Sequence, residues 1–235
     1  MTMLVAKLFI VHLIGDFILF RNKRLKEKGK PIWKSKRLLL HSFIHFVLAW
    51  IALASLGLWG FAFVIGSSHY VGDMVLRIWM SRRPQWAFVL DQLVHIALLL
   101  FIAAYITDLS ALTLLHSIDI SWVVVAGLVA VTFPAAKFIE VFLSQWPPAK
   151  SADKIKGLTN AGLWIGILER ILIYTFITTG HWEGIGFLLA AKSVFRFGDL
   201  SNSKDISLTE YIMVGTLLSF CLAVVAGLMT NYFVA

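Results

Sequence analysis

The chain reads as an all-α, polytopic transmembrane bundle of about eight spans, and three observations lead there. Of its 235 residues 59% are hydrophobic and 14% charged, whereas soluble domains average about 45–50% apolar and about 25% charged. Mean hydropathy is +0.83. Apolar runs recur along the whole length, each close to the roughly 20 residues that a bilayer core of about 30 Å requires. This composition excludes most soluble enzymes. The net charge of +8 is therefore a topology signal before it is a phosphate-binding signal. Membrane lipid is the expected partner, nucleic acid is not, and a homo-oligomer is compatible with the pattern.

The expected spans run approximately over 3–20, 38–59, 61–80, 87–107, 121–143, 159–179, 184–196 and 209–231. The first resembles a signal peptide in length, but it carries His12 and Asp16 in its apolar core and no small-x-small cleavage site, so it is expected to be retained. Spans two and three are separated only by the region of Gly57, Trp59 and Gly60, which calls for an antiparallel hairpin. The seventh is short, ends in Lys192, Arg196 and Asp199, and is expected to be tilted or half-inserted. In the sixth, Gly162 and Gly166 form a small-xxx-small face expected to pack closely in the core, with dimerisation as the alternative. Most of the Trp residues, including Trp33, Trp86, Trp122 and Trp182, fall near span ends as interfacial anchors.

Positive charge sets the orientation. Residues 21–37 hold nine Lys or Arg, Arg82 and Arg83 lie between spans three and four, Lys150, Lys154 and Lys156 follow span five, and Lys204 follows span seven. The alternate loops, 58–60, 108–120 and 180–183, hold none. Because cationic loops remain cytoplasmic, both termini are expected on the non-cytoplasmic side. Two halves differ in chemistry: residues 1–107 are rich in His and Asp, and residues 108–235 carry Glu, Lys and Arg within their spans. The single cysteine, Cys221, excludes an intrachain disulfide and paired-thiolate metal sites.

Four spacings in the first half stand out: His12 with Asp16, His41 with His45, His69 with Asp73, and Asp91 with His95. Each is i to i+4, which stacks two side chains on one helix face. Measured from the cytoplasmic end of each span, Asp16, His41, Asp73 and Asp91 form a shallow tier and His12, His45, His69 and His95 lie about one turn deeper. Spans one and three place His before Asp, and the oppositely directed span four places Asp before His. Ionisable groups in hydrocarbon cost several kcal/mol on most scales and normally share partners in the bundle interior. Imidazole and carboxylate are the usual ligands of Zn, Mn or non-haem Fe, and eight candidates suffice for one or two ions. A proton path and a purely structural polar network are the competing readings of the same residues. His116 and His181 are expected at interfaces, outside the ligand set.

The strings HLIGDFILF at 12–20, His41 with His45, HYVGD at 69–73 and DQLVH at 91–95 resemble a family of small bacterial polytopic membrane proteins known only as a domain of unknown function. The resemblance covers about the first 100 residues and implies a multi-pass protein of the bacterial cytoplasmic (inner) membrane, with Gln at the position of Phe20. A looser similarity, by residue type and spacing, is to membrane-bound metal-dependent hydrolases.

In the second half, Glu169 and Arg170 are adjacent in span six, Lys192 and Arg196 lie in span seven, and Lys137 with Glu140 in span five. Arg170, Lys192, Arg196 and Glu169 are candidates for holding an anionic substrate group, with ion pairing inside the bundle as the alternative. No glycine-rich phosphate loop, nucleophile elbow or Glu-x-x-His motif occurs. The leading expectation is a metal-dependent hydrolase of a lipid-linked or amphipathic substrate, with zinc the best-suited ion, Mn or Fe next, and Asp91 as general base. The alternatives are a divalent-cation or proton-coupled transporter and a non-catalytic membrane component.

Overall fold

The computed structural model describes residues 2–20, 31–54, 56–79, 84–108, 122–146, 160–201 and 206–234, and every regular element among them is helical. The chain divides into two compact units, Met1–Ala126 and Gly127–Ala235. Five helical stretches are long and apolar enough to cross a membrane: Lys36–Leu53, Trp86–Ile106, Trp122–Leu143, Ala161–Thr178 and Leu208–Val234. The protein is thus an all-helical membrane protein.

The first unit opens with α1 (Thr2–Leu13), which passes directly into a π-helical stretch, Ile14–Leu19. Helix α2 (Lys36–Leu53) starts where the Ser35 hydroxyl accepts the Leu38 N–H at 3.4 Å, a side-chain cap for one of the donors that a helix start leaves unpaired. It stops at Ala54, whose backbone is left-handed (φ 49°) and whose N–H donates to the carbonyls of Trp50 and Ile51. The reversal expected around Gly57 and Gly60 thus begins at an alanine, where a left-handed backbone is strained by about 1–2 kcal/mol. A 3₁₀ turn at Leu56–Leu58 then leads into α3 (Trp59–Trp79), and α4 (Pro84–Asp108) completes the set.

Helices α2 and α3 approach most closely at Gly66. A Cβ there would sit 2.7 Å from Cβ of Phe46 and 2.9 Å from the Ser42 carbonyl. The Ser42 hydroxyl instead donates to the Gly66 carbonyl at 2.5 Å. Ala49 and Ala62, both fully buried, continue the small-residue contact that lets two membrane helices pack without a water-driven force. Leu4, Leu8, Ala49, Leu53, Ala62, Ile65, Leu99, Ile102, Ala103 and Ile106 form one apolar layer. It draws on the start of α1, the end of α2, the start of α3 and the end of α4, the end of the unit opposite to the start of α2 and the end of α3.

The second unit begins within α5 (Trp122–Ala130) and contains α6 (Phe133–Leu143), α7 (Ala161–Thr178), α8 (Trp182–Ser201) and α9 (Ile206–Val234). The single span expected over 121–143 is interrupted at Val131–Thr132, because Pro134 at the start of α6 can neither donate to the preceding turn nor fit beneath it. Helix α8 has 20 residues, longer than the short span expected there. Among the described residues, a Cβ at Gly162 would meet no atom within 4 Å, outside the packed core expected there, and at Gly166 it would approach only the Arg170 guanidinium.

Replacing Gly66 by Val should force α2 and α3 apart, at about 1–3 kcal/mol for overpacking. A clearly lower thermal midpoint of the detergent-solubilised protein is expected, and an unchanged one would show that this crossing yields freely.

Candidate metal centre

Each of the four helices of the first unit brings polar groups to one place. The π-helical stretch carries Asp16, α2 carries His41 and His45, α3 carries His69 and Asp73, and α4 carries Asp91, Gln92 and His95. His12 comes from the last turn of α1. The eight groups singled out from the sequence therefore lie in a single cluster. Its hub is Asp16: Oδ1 is 3.0 Å from Nε2 of His45, 3.3 Å from Nε2 of His41 and 4.0 Å from Nδ1 of His69. Oδ2 is 3.8 Å from Nε2 of His12. His41 also reaches Asp73 at 3.3 Å, and His95 lies 3.6 Å from Asp91.

The imidazoles are packed against one another. The ring of His69 is stacked between those of His45 and His95, with centroids 3.5 and 3.8 Å away, and Nδ1 of His12 lies 3.3 Å from Nε2 of His69. Phe20, where the family resemblance implies Gln, sets its ring edge-on against His41 at 4.8 Å. His12, His45, His69 and His95 are at most 2% exposed and His41 and Asp73 are buried too, at 3% and 6%, whereas the carboxylates of Asp16 and Asp91 are 11% and 17% exposed.

The local backbone explains how these groups meet. π-turns insert an extra residue into the helical ladder and recur at functional sites; here the stretch holds Asp16 among residues of α2, α3 and α4. Gly15 has no side chain because the His45 ring occupies that space: a Cβ would collide with its Cε1 and Nε2 atoms. Gly72 does the same more loosely for His95, at 3.4 Å.

Three features fit a metal ion. One ligand atom each from His12, Asp16, His45 and His69 lies within 4.8 Å of the others. A tetrahedral ion with bonds of about 2.1 Å spaces its donors about 3.4 Å apart, so the widest pair need close by little more than an ångström. Among the described residues, Nε2 of His45, Nδ1 of His69 and both ring nitrogens of His95 are buried without a well-formed hydrogen bond, and buried polar atoms are rarely left so. A set of imidazoles with one carboxylate also matches the chemistry of Zn, Mn or Fe.

Gln92 was not among the residues expected from the sequence. Its amide nitrogen donates to Oδ2 of Asp16 at 2.9 Å and to Oδ2 of Asp91 at 3.3 Å, and its Oε1 lies 3.2 Å from Nε2 of His12. The available signal was an amide within an apolar span, one residue after Asp91. Gly15, next to Asp16, was missed for the same reason: attention to ligand-type residues passes over those that make room for them.

The second-unit candidates have partners within that unit. Arg170 is buried on α7; its Nε donates to the Val131 carbonyl at 2.6 Å, Nη2 to the Thr132 carbonyl at 3.2 Å and Nη1 to the Ser219 hydroxyl at 3.0 Å. The guanidinium thus engages the Val131 carbonyl at the break between α5 and α6 and shares the Thr132 carbonyl with the Ala136 N–H. Lys192 pairs with Glu169 at 2.5 Å and lies 5.6 Å from the Phe220 ring centre. Arg196 is on α8, and its side chain lies outside the described residues.

Residues 4–132 match the family described as "Protein of unknown function (DUF3307)". No curated protein and no solved structure gave a match.

Gly15→Ala should push the His45 ring off Asp16 and weaken Zn2+ binding by about 10- to 100-fold, the range usual for residues that orient ligands. Competition against a chelating dye reads this directly, and an unchanged affinity would remove His45 from the site.

Proposed function

The chain belongs to this family of proteins of unknown function, DUF3307, and since membership brings no activity with it, we propose from the site itself a membrane metallohydrolase. In this reading a divalent cation is held among His12, Asp16, His45 and His69, and the substrate is lipid-linked or otherwise amphipathic. The observation that carries it is the convergence of buried imidazole nitrogens without hydrogen-bond partners on the Asp16 carboxylate. His41, Asp73, Asp91 and His95 surround that centre and allow a second ion. Zinc suits the donor set best, with Mn or Fe next.

A bound cation of this kind supplies Lewis acidity for attack by water on a polarised ester or phosphoester. Asp91, the most exposed carboxylate of the cluster, takes the proton of the attacking water as general base. The apolar layer behind the imidazoles closes the site on one side, so the substrate enters from the opposite end of the bundle, where α2 starts with Lys36 and Arg37. Those cations suit an anionic headgroup at the entrance. A headgroup role for Arg170, Lys192, Arg196 and Glu169 is not carried into this proposal, because Arg170 serves the carbonyls of Val131 and Thr132 and Lys192 pairs with Glu169. The proposal includes eight spans, both termini on the non-cytoplasmic side, and a place in the bacterial inner membrane, in keeping with the positive-inside bias.

Elemental analysis of the detergent-purified protein should find at least one equivalent of Zn, Mn or Fe, lost in a His45→Ala, His95→Ala double variant that still folds. No metal in either protein, even after reconstitution, would sink the proposal. With metal loaded, phospholipids and isoprenoid phosphates are the substrates to screen, and Asp91→Asn should lower turnover by about 10²- to 10⁴-fold, the range for a lost general base. Metal-dependent flux in proteoliposomes, abolished by Asp73→Asn and without any hydrolysis, would replace the hydrolase by a transporter.

A further inference from the structure

The hydrogen bonds of Gln92 have a direction that propagates through the cluster. Carboxylates accept hydrogen bonds and do not donate them, so the amide nitrogen of Gln92 faces Asp16 and Asp91, at 2.9 and 3.3 Å. Its Oε1 is left facing Nε2 of His12, 3.2 Å away. A carbonyl oxygen also only accepts, so the proton of the neutral His12 ring sits on Nε2 and its Nδ1 carries a lone pair. That lone pair lies 3.3 Å from Nε2 of His69, which must then supply the proton. The proton of His69 being on Nε2, its Nδ1 is a bare lone pair, buried, without a hydrogen-bond partner and 4.0 Å from Oδ1 of Asp16. Nε2 of His45 is also buried, 3.0 Å from the same oxygen.

We propose that Gln92 is a positioning residue which, by fixing the tautomers of His12 and His69, selects Asp16 Oδ1, His45 Nε2 and His69 Nδ1 as the atoms that hold the cation and makes His12 a hydrogen-bond relay. The inference rests on the metal reading above and narrows it. Metal-bound histidines commonly direct their second ring nitrogen to a fixed acceptor that sets the tautomer. Here His69 uses His12 as that acceptor, and His12 in turn uses Gln92. Asp16 is oriented by the same amide: the donor on Oδ2 leaves Oδ1 turned to the imidazoles. One side chain on α4 thereby governs groups on α1, its π-helical continuation and α3.

The test uses the full chain in detergent, labelled with 15N at histidine and loaded with 113Cd2+, His12 being assigned by the spectrum of His12→Asn. Coupling of 113Cd to Nε2 of His45 and Nδ1 of His69 is expected, with none to His12, whose Nε2 carries a proton. Gln92→Met should scramble the His12 tautomer and weaken Cd2+ binding by about 10- to 100-fold, with helix content unchanged. Gln92→Glu still accepts from His12 and should restore its Nε2–H signature. Coupling to His12, or a Gln92→Met protein with unaltered tautomer and affinity, would overturn the inference and leave the metal reading standing. Absence of any Cd2+ uptake by the unaltered protein would instead sink the metal reading and the ligand assignment with it. Should Gln92→Met fail to fold, the coupling pattern of the unaltered protein decides alone.

Discussion

A carboxylate inside an apolar helix bundle must be met by donors or by positive charge, and the first unit is arranged around meeting that requirement at Asp16. Three imidazoles come within 4.0 Å of its Oδ1, from α2 and α3, while an amide from α4 takes Oδ2. To bring these groups together the backbone departs from regularity in a few places. The helix carrying Asp16 changes to π geometry, Gly15 cedes its side-chain space to His45, and Gly66 lets α3 approach Ser42 of α2 closely. Each departure gives up some local helix stability. Together they assemble a polar centre that no single helix could satisfy.

The two units treat their buried ionisable groups in opposite ways. Arg170 has each guanidinium nitrogen engaged, two of them on the Val131 and Thr132 carbonyls at the α5–α6 break. Such a group completes a structure. In the first unit, nitrogens of His45, His69 and His95 are buried without a well-formed hydrogen bond among the described residues. A buried cation with a partner for every nitrogen is what packing selects; buried lone pairs facing a carboxylate are what a bound positive ion would relieve. That contrast separates scaffold from site more sharply than residue type does.

Helical character and the cluster could be read from residue order because both obey local rules. Apolar run length reports a helix fit for a membrane, and i to i+4 spacing reports a shared face, so His12, Asp16, His41, His45, His69, Asp73, Asp91 and His95 could be chosen without coordinates. What escaped depends on three-dimensional contact. Gln92 is an ordinary amide until it is seen between His12 and Asp16, and Gly15 is an ordinary glycine until the His45 ring is placed against it. Pro134 was visible, yet a proline inside a membrane helix can kink it without ending it, and only the structure, in which Arg170 donates to the Val131 and Thr132 carbonyls, shows the break. Gly162 shows the reverse case, where a close-packing motif meets no side chain among the described residues of its own chain.

The apolar layer behind the imidazoles has an electrical meaning. A membrane protein that gathers five histidines and three aspartates between its helices risks offering protons a wire across the bilayer, where each elementary charge is driven by about 2.3 kcal/mol per 100 mV. The side chains of that layer, from Leu4 and Leu8 through to Ile102 and Ile106, contain neither a donor nor an acceptor. Among the described residues, the buried side chains of this layer offer no next group to a proton arriving at His69 or His95. The layer therefore works as a dielectric plug: it lets the protein keep a polar interior on one side while the energised membrane stays insulated on the other.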